Sequence, residues 1–151
     1  MEEIKLMQPR QVFYEDVTEG MELPKLVKGP IDVMMLAKFG SMYGDFYPSH
    51  YDHKWATEVD RIPGAVVYGV MLITYLGIYS TNWISPNGIL KKIKTQVRAQ
   101  TFVGDTVTYT GKVAKKYMQD GQGMVDIEIV GTKQDNVKVI LGWATCLLPL
   151  K

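Results

Sequence analysis

An antiparallel sheet carrying one long buried helix, an α+β layer arrangement, is what this amino-acid sequence predicts. Three observations lead there. Residues 69–83 are apolar on nearly all sides (Val70, Met71, Leu72, Ile73, Leu76, Ile78, Tyr79, Trp83), and a helix apolar all round is a buried one. The second half alternates apolar and polar residues with period two, the mark of half-buried strands. Turn signals at Gly104-Asp105, Asp120-Gly121 and Gln134-Asp135-Asn136 then link these runs into a meander. The chain has 151 residues, which favours one domain spanning 1–151.

Taken in order, residues 12–29 read as short extended pieces around a turn at Gly20. Pro30 fits the start of a helix, where its missing N–H costs nothing, and Asp32 fits the N-cap. Met34, Met35, Ala37, Lys38, Phe39 and Met42 carry an amphipathic helix to Tyr43, and Gly44 ends it. Residues 45–52 form a loop stiffened by Pro48. Residues 53–59 form a short helix with Trp55 and Ala56 inward, followed by a turn at Arg61-Ile62-Pro63-Gly64. Pro86-Asn87-Gly88 closes the buried helix. Ile89, Ile93, Val97 and Ala99 then point to one face of the first alternating strand. Two further strands follow, alternating around Val107, Tyr109 and Val113 and around Val125, Ile127 and Ile129. Residues 137–148 make a last strand, apolar enough to be covered on both faces.

Composition removes several classes of function. The 17 Lys+Arg against 16 Asp+Glu leave a net charge of +1 with no basic block, which argues against nucleic acid as the main partner. One cysteine, Cys146, makes neither an internal disulfide nor a cysteine-built zinc site. Met1-Glu2-Glu3-Ile4-Lys5 is acidic where a secretory signal is basic, and no apolar stretch follows, so the expected compartment is the cytoplasm. Residues 66–84, the most apolar segment, carry polar residues and fall short of a clean bilayer span of about 20 residues, so no membrane is expected. His53 stands near His50 without a metal-binding pattern around it, so no metal is expected and His53 is assigned to structure.

With two histidines in the chain, acid–base chemistry has few candidates. Asp45 and His50 lie on the Pro-stiffened loop of Gly44-Asp45-Phe46-Tyr47-Pro48-Ser49-His50. A carboxylate and a neutral imidazole together can hold and deprotonate one water. Gly69, at the start of the buried helix, lets a substrate approach a backbone N–H where the helix dipole favours developing negative charge. Spacing alone also accommodates the plainer reading, in which Asp45 is a turn residue and His50 a satisfied polar one.

These segments resemble the MaoC-like (R)-specific enoyl-CoA hydratase/dehydratase family. Its hydratase motif, roughly Gly-Asp-x-Asn-Pro-x-His with a later Ala, is matched by Gly44, Asp45, Pro48, His50 and Ala56. Its later His-Gly-Met-Leu is similar to Tyr68-Gly69-Val70-Met71-Leu72, and a Ser often found five residues after that Gly is Thr74 here. Its Pro-Val-x-x-Gly-Asp turn is similar to Thr101-Phe102-Val103-Gly104-Asp105-Thr106-Val107. A looser likeness, through residues 79–93, is to small MaoC-like subunits that act on bulky steroid-side-chain enoyl-CoAs.

The resemblance implies a hot-dog fold, an antiparallel sheet wrapped around a long central helix. It implies an acyl-CoA thioester substrate, no cofactor, and reversible hydration of a trans-2-enoyl thioester to an (R)-3-hydroxyacyl thioester. Asp45 and His50 would be the catalytic pair. Gly69 would offer its N–H to the thioester carbonyl, and Thr74 would help orient the pair. Tyr47 replaces the family's Asn and Tyr68 its His, so with Phe46 and Tyr51 they either shape an acyl pocket as candidate substrate-binding residues or simply pack the loop. Lys91, Lys92, Lys94, Arg98, Lys115 and Lys116 offer a cationic rim for CoA phosphates, or a solvated strand face. A homodimer or higher oligomer is implied, with a hetero-oligomer as the other assembly. Two alternatives stand beside the hydratase: a non-catalytic subunit completing a partner's tunnel, and a hot-dog acyl-CoA thioesterase. The thioesterase needs an acid on or before the central helix, and residues 64–83 contain none.

Overall fold

The computed structural model describes residues 11–151. The reading of residues 1–5 as lacking a secretory signal lies outside them. Five antiparallel strands form one sheet: β1 (Glu22–Lys28), β2 (Ile89–Val97), β3 (Val107–Gln119), β4 (Gln122–Lys133) and β5 (Lys138–Leu148). Three helices, α1 (Val33–Tyr43), α2 (His53–Glu58) and α3 (Gly69–Ile84), precede all strands but the first. The sheet and its buried helix agree with the α+β expectation.

The strand order is β1-β3-β4-β5-β2. Only β3, β4 and β5 form the meander. β2, expected to neighbour β3, lies instead on the outer edge beside β5. Tight turns fix the β3–β4 and β4–β5 hairpins, and one free side of β5 then receives β2. At that edge Ile89 and Val97 are exposed, contrary to the alternation, and Leu90, Ile93 and Thr95 are half-buried. A bulge between Leu90 and Lys92 shifts the inward face. From β2 the chain must cross to β3 on the other side of the sheet. That crossing, residues 98–106, runs past the start of α3, where Val66 and Phe102 form an isolated bridge.

α3 packs its Met71, Leu72, Leu76, Tyr79, Trp83 and Ile84 into the core with Val107, Tyr109, Val113, Ile127, Ile140 and Ala144 of the sheet. Two glycines let it approach. Gly111, Ile129 and Gly142 form one cross-strand row on β3, β4 and β5. A Cβ at Gly142 would run into the Leu76 side chain, and one at Gly111 into the Tyr79 ring. The helix therefore seats Leu76 and Tyr79 where these strands carry no side chain.

α1 is capped as expected: the Asp32 side chain accepts from Met35 N–H at 2.7 Å. Gly44 closes it in the left-handed region at φ 81°. Pro30 lies ahead of the helix rather than in its first turn. The inward face is Leu36, Phe39 and Gly40, whereas Met34 and Met42 face solvent. In α2, Ala56 is buried as expected, but Trp55 lies outward. A helix this short buries one narrow stripe, and Ala56 fills it. Among the described residues no helix is long and apolar enough to cross a membrane.

Candidate functional site

The loop after α1 is held by three tyrosines and an aspartate. Its backbone turns at Gly44 into Asp45, whose carboxyl accepts from Tyr47 N–H at 3.1 Å. Pro48–His50 forms a single 3₁₀ turn. Asp60, beyond α2, accepts from the Tyr47 hydroxyl at 3.0 Å with one oxygen and from the buried Ser49 hydroxyl with the other. Tyr51 Oη donates to the Phe46 carbonyl at 3.1 Å. Asp60 thus clamps both residues that flank Pro48. Sequence reasoning missed it, because nothing near Asp60 marks a partner eleven and thirteen residues back.

His50 is fixed at one ring nitrogen and free at the other. Nδ1 lies 2.6 Å from the Val66 carbonyl oxygen. A carbonyl only accepts, so in the neutral ring Nδ1 carries the proton and Nε2 keeps its lone pair. Nε2 faces Asp45 Oδ2 at 3.9 Å. That separation is too long for a direct hydrogen bond, and a single water can lie about 2.8 Å from both atoms only to one side of the line that joins them.

Tyr68 lies directly against this pair. Its ring stacks on the His50 ring with centroids 3.7 Å apart and planes at 22°. Its hydroxyl donates to the Asp45 carbonyl at 2.9 Å. Burial, with added repulsion from Asp45 and Tyr51, raises the Tyr68 pKa above the ordinary phenol value, so the hydroxyl remains a donor at neutral pH. Gly40 makes room for it: a Cβ there would overlap the Tyr68 hydroxyl. Tyr68 is 2% exposed, so the structure places it behind the pair as a support.

Gly69 is the first residue of α3, and its N–H has no partner within the helix. A Cβ built on Gly69 would meet Val97 Cγ2 at 3.9 Å, an ordinary contact, so a methyl group is tolerated there. His50, Gly69, Leu72, Arg98 and Thr101 line one cleft of ≈ 420 Å³. A larger groove of ≈ 570 Å³ crosses the outer sheet face over Lys112, Glu128 and Trp143, away from this chemistry.

Other sequence candidates lie elsewhere. Thr74 is exposed, and its hydroxyl donates to the Val70 carbonyl of its own helix at 2.9 Å rather than to Asp45 or His50. Of the cationic residues, Arg98 lines the His50 cleft. Lys92, Lys94 and Lys115 line a separate groove on the sheet with Trp143, and Lys116 sits over the Tyr14 ring. Phe46, Tyr47 and Tyr51 expose much of their rings around the loop. The His53 ring lies against Gly64. Cys146 is fully buried, and its thiol is pushed up to about 12 by burial and by Asp126, so it is not a nucleophile at neutral pH.

The sequence matches no protein-family model, and no curated protein is similar to it. Solved structures do match. The chain is similar to the R-hydratase PhaJ1 from Pseudomonas aeruginosa, with TM-score 0.81 and 17% identity over 93% of this chain and 88% of that one. It is similar to the MaoC-like dehydratase from Rhodospirillum rubrum, with TM-score 0.77 and 15% identity over 93% and 98% of the two chains. It is also similar to a chain of the ChsH1-ChsH2 complex from Mycobacterium tuberculosis, with TM-score 0.74 and 21% identity over 87% and 98%. The chain therefore has the hot-dog fold, and its structural neighbours are MaoC-like dehydratases and (R)-hydratases.

Proposed function

We propose that this protein hydrates trans-2-enoyl thioesters reversibly, with Asp45 and His50 as the acid–base pair and Gly69 N–H as the donor to the thioester carbonyl. One observation carries the reading: Nε2 of His50, the ring nitrogen not held by the Val66 carbonyl, faces Asp45 Oδ2 at 3.9 Å, near enough for one water to bond both, and His50 shares a cleft with the first residue of α3. The hydratases and dehydratases among the structural neighbours support it.

Asp45 and His50 Nε2 hold the water. Nε2 takes a proton as the water oxygen bonds to C3 of the enoyl group. The C2–C3 π electrons move toward the thioester, whose oxygen gains charge and draws a stronger hydrogen bond from Gly69 N–H. The imidazolium then returns its proton to C2, on the face from which the water came. The sum is one water added and the imidazole restored. The family likeness supports the (R)-3-hydroxyacyl product, and CoA or an acyl carrier fits the thioester arm. A homo-oligomer of this chain is the assembly we propose.

The test is the purified chain mixed with a panel of enoyl-CoA thioesters, straight, branched and bulky, following loss of the conjugated absorbance. Asp45→Asn and His50→Ala are each expected to lower kcat by about 10²–10⁴ while leaving the fold intact. Activity that survives both substitutions would sink the assignment. A second reading, a subunit that works only beside a different chain, is favoured by Tyr47 and Tyr68 standing where the family motif has Asn and His, and by the similarity to a chain of a two-protein complex. An active oligomer of this chain alone on size-exclusion chromatography excludes it.

A further inference from the structure

Thr101 lies on the crossing from β2 to β3, where its carbonyl accepts from Val67 N–H at 2.7 Å beside the entry to α3. The residue is 1% exposed, and its hydroxyl has no hydrogen-bond partner. It lines the cleft that His50, Gly69 and Arg98 line. The hydroxyls around the Asp45–His50 loop are satisfied: Ser49 and Tyr47 by Asp60, Tyr68 by the Asp45 carbonyl. The other orphaned buried hydroxyl among the described residues, that of Tyr79, packs in the core against Gly111. A buried hydroxyl without a partner is costly, and valine offers nearly the same shape at no such cost.

We propose that the Thr101 hydroxyl, turned from its buried position into the cleft by a χ1 rotation, is a second donor there and hydrogen-bonds a carbonyl oxygen of the bound thioester, beside Gly69 N–H. This rests on the thioester reading above. A thioester molecule presents two kinds of carbonyl: the thioester's own, and the amides of its pantetheine arm. The same O–H serves either, and kinetics separates them. Negative charge develops only on the thioester oxygen, so a lost bond there lowers kcat. An amide carbonyl keeps its charge throughout, so a lost bond there raises KM at constant kcat.

The experiment compares the full chain with Thr101→Val and Thr101→Ser. Each is assayed for hydration of the enoyl-CoA that wild type turns over best, for butyryl-CoA binding by calorimetry, and for Tm. Thr101→Val is expected to keep or raise Tm, since the hydroxyl gives up no internal bond, and to lose roughly tenfold in kcat/KM. Thr101→Ser, which restores the hydroxyl, recovers most of that loss. Kinetics and butyryl-CoA affinity of Thr101→Val within twofold of wild type overturn the proposal. So does a fall in Tm that Thr101→Ser shares, because it marks a packing role. Wild type that neither binds butyryl-CoA nor hydrates any enoyl-CoA is a different failure, and it removes the thioester reading itself.

Discussion

The Tyr68 ring stacks on His50 at 3.7 Å while its hydroxyl holds the Asp45 carbonyl at 2.9 Å, so one side chain braces both members of the pair. The two contacts separate by substitution, and Gly40 reports on both.

Tyr68→Phe keeps the stack and gives up the hydrogen bond, at an expected cost of about 1 kcal/mol in stability. It is expected to lower kcat with little change in KM, because Tyr68 supports the pair from behind. Gly40→Ala forces a methyl group against the Tyr68 hydroxyl and the Asp45 carbonyl, so it should cost roughly 1–3 kcal/mol and lower kcat further. The double variant Gly40→Ala/Tyr68→Phe relieves part of that clash. Denaturant unfolding of the four proteins in the cycle should show a coupling of about 0.5–3 kcal/mol, and simple additivity would show that the two residues act independently.

Gly69→Pro deletes the proposed donor and leaves the helix in place. Proline is tolerated in the first turn, where the N–H has no intrahelical partner. Tyr68 already has φ −55° and ψ 128°, the extended conformation that a residue before proline needs. The expected outcome is an unchanged circular dichroism spectrum and Tm, with kcat reduced by about 10²–10³. Gly69→Ala, which keeps the N–H and finds space for its methyl group, is the control for steric narrowing of the cleft.

Asp105 links the β2–β3 crossing to the β4–β5 turn. Burial alone would raise its pKa. The Phe102 N–H at 2.9 Å, the Gln134 amide at 2.7 Å and the Lys133 ammonium at 3.4 Å outweigh burial and lower it below the ordinary carboxylic value. A depressed carboxyl contributes stability that is complete above its unfolded value and is lost as pH falls through its folded value. Asp105→Asn is therefore expected to cost roughly 1–3 kcal/mol at pH 7. The gap between the variant and wild type should close as the pH drops from about 4 downward. Urea melts across that range measure it, and a gap independent of pH would rule out the carboxylate as its source.

Local residue patterns specify the secondary-structure elements. The all-round apolar stretch announced α3, period-two alternation announced β2, β3 and β4, a more apolar run announced β5, and Asp32 and Gly44 marked the ends of α1. Those signals are local, because caps, turns and periodicity depend on neighbours a few residues apart. The spacing of Asp45, His50 and Gly69 was also legible, through the likeness of short segments to a known motif. Tertiary structure alone decided that β2 lies beside β5, that Tyr68 sits behind His50 as a brace, that Asp60 clamps the loop, and that the Thr101 hydroxyl is left without a partner. It also decided that Thr74 bonds its own helix and that the lysines of β2 and β3 lie away from the cleft. Apart from the Thr74 bond to Val70 four residues back, each of these rests on residues brought together across the chain, Tyr68 and Asp45 over 23 positions. Such contacts form only when the whole core closes, so no local pattern of residue types encodes them.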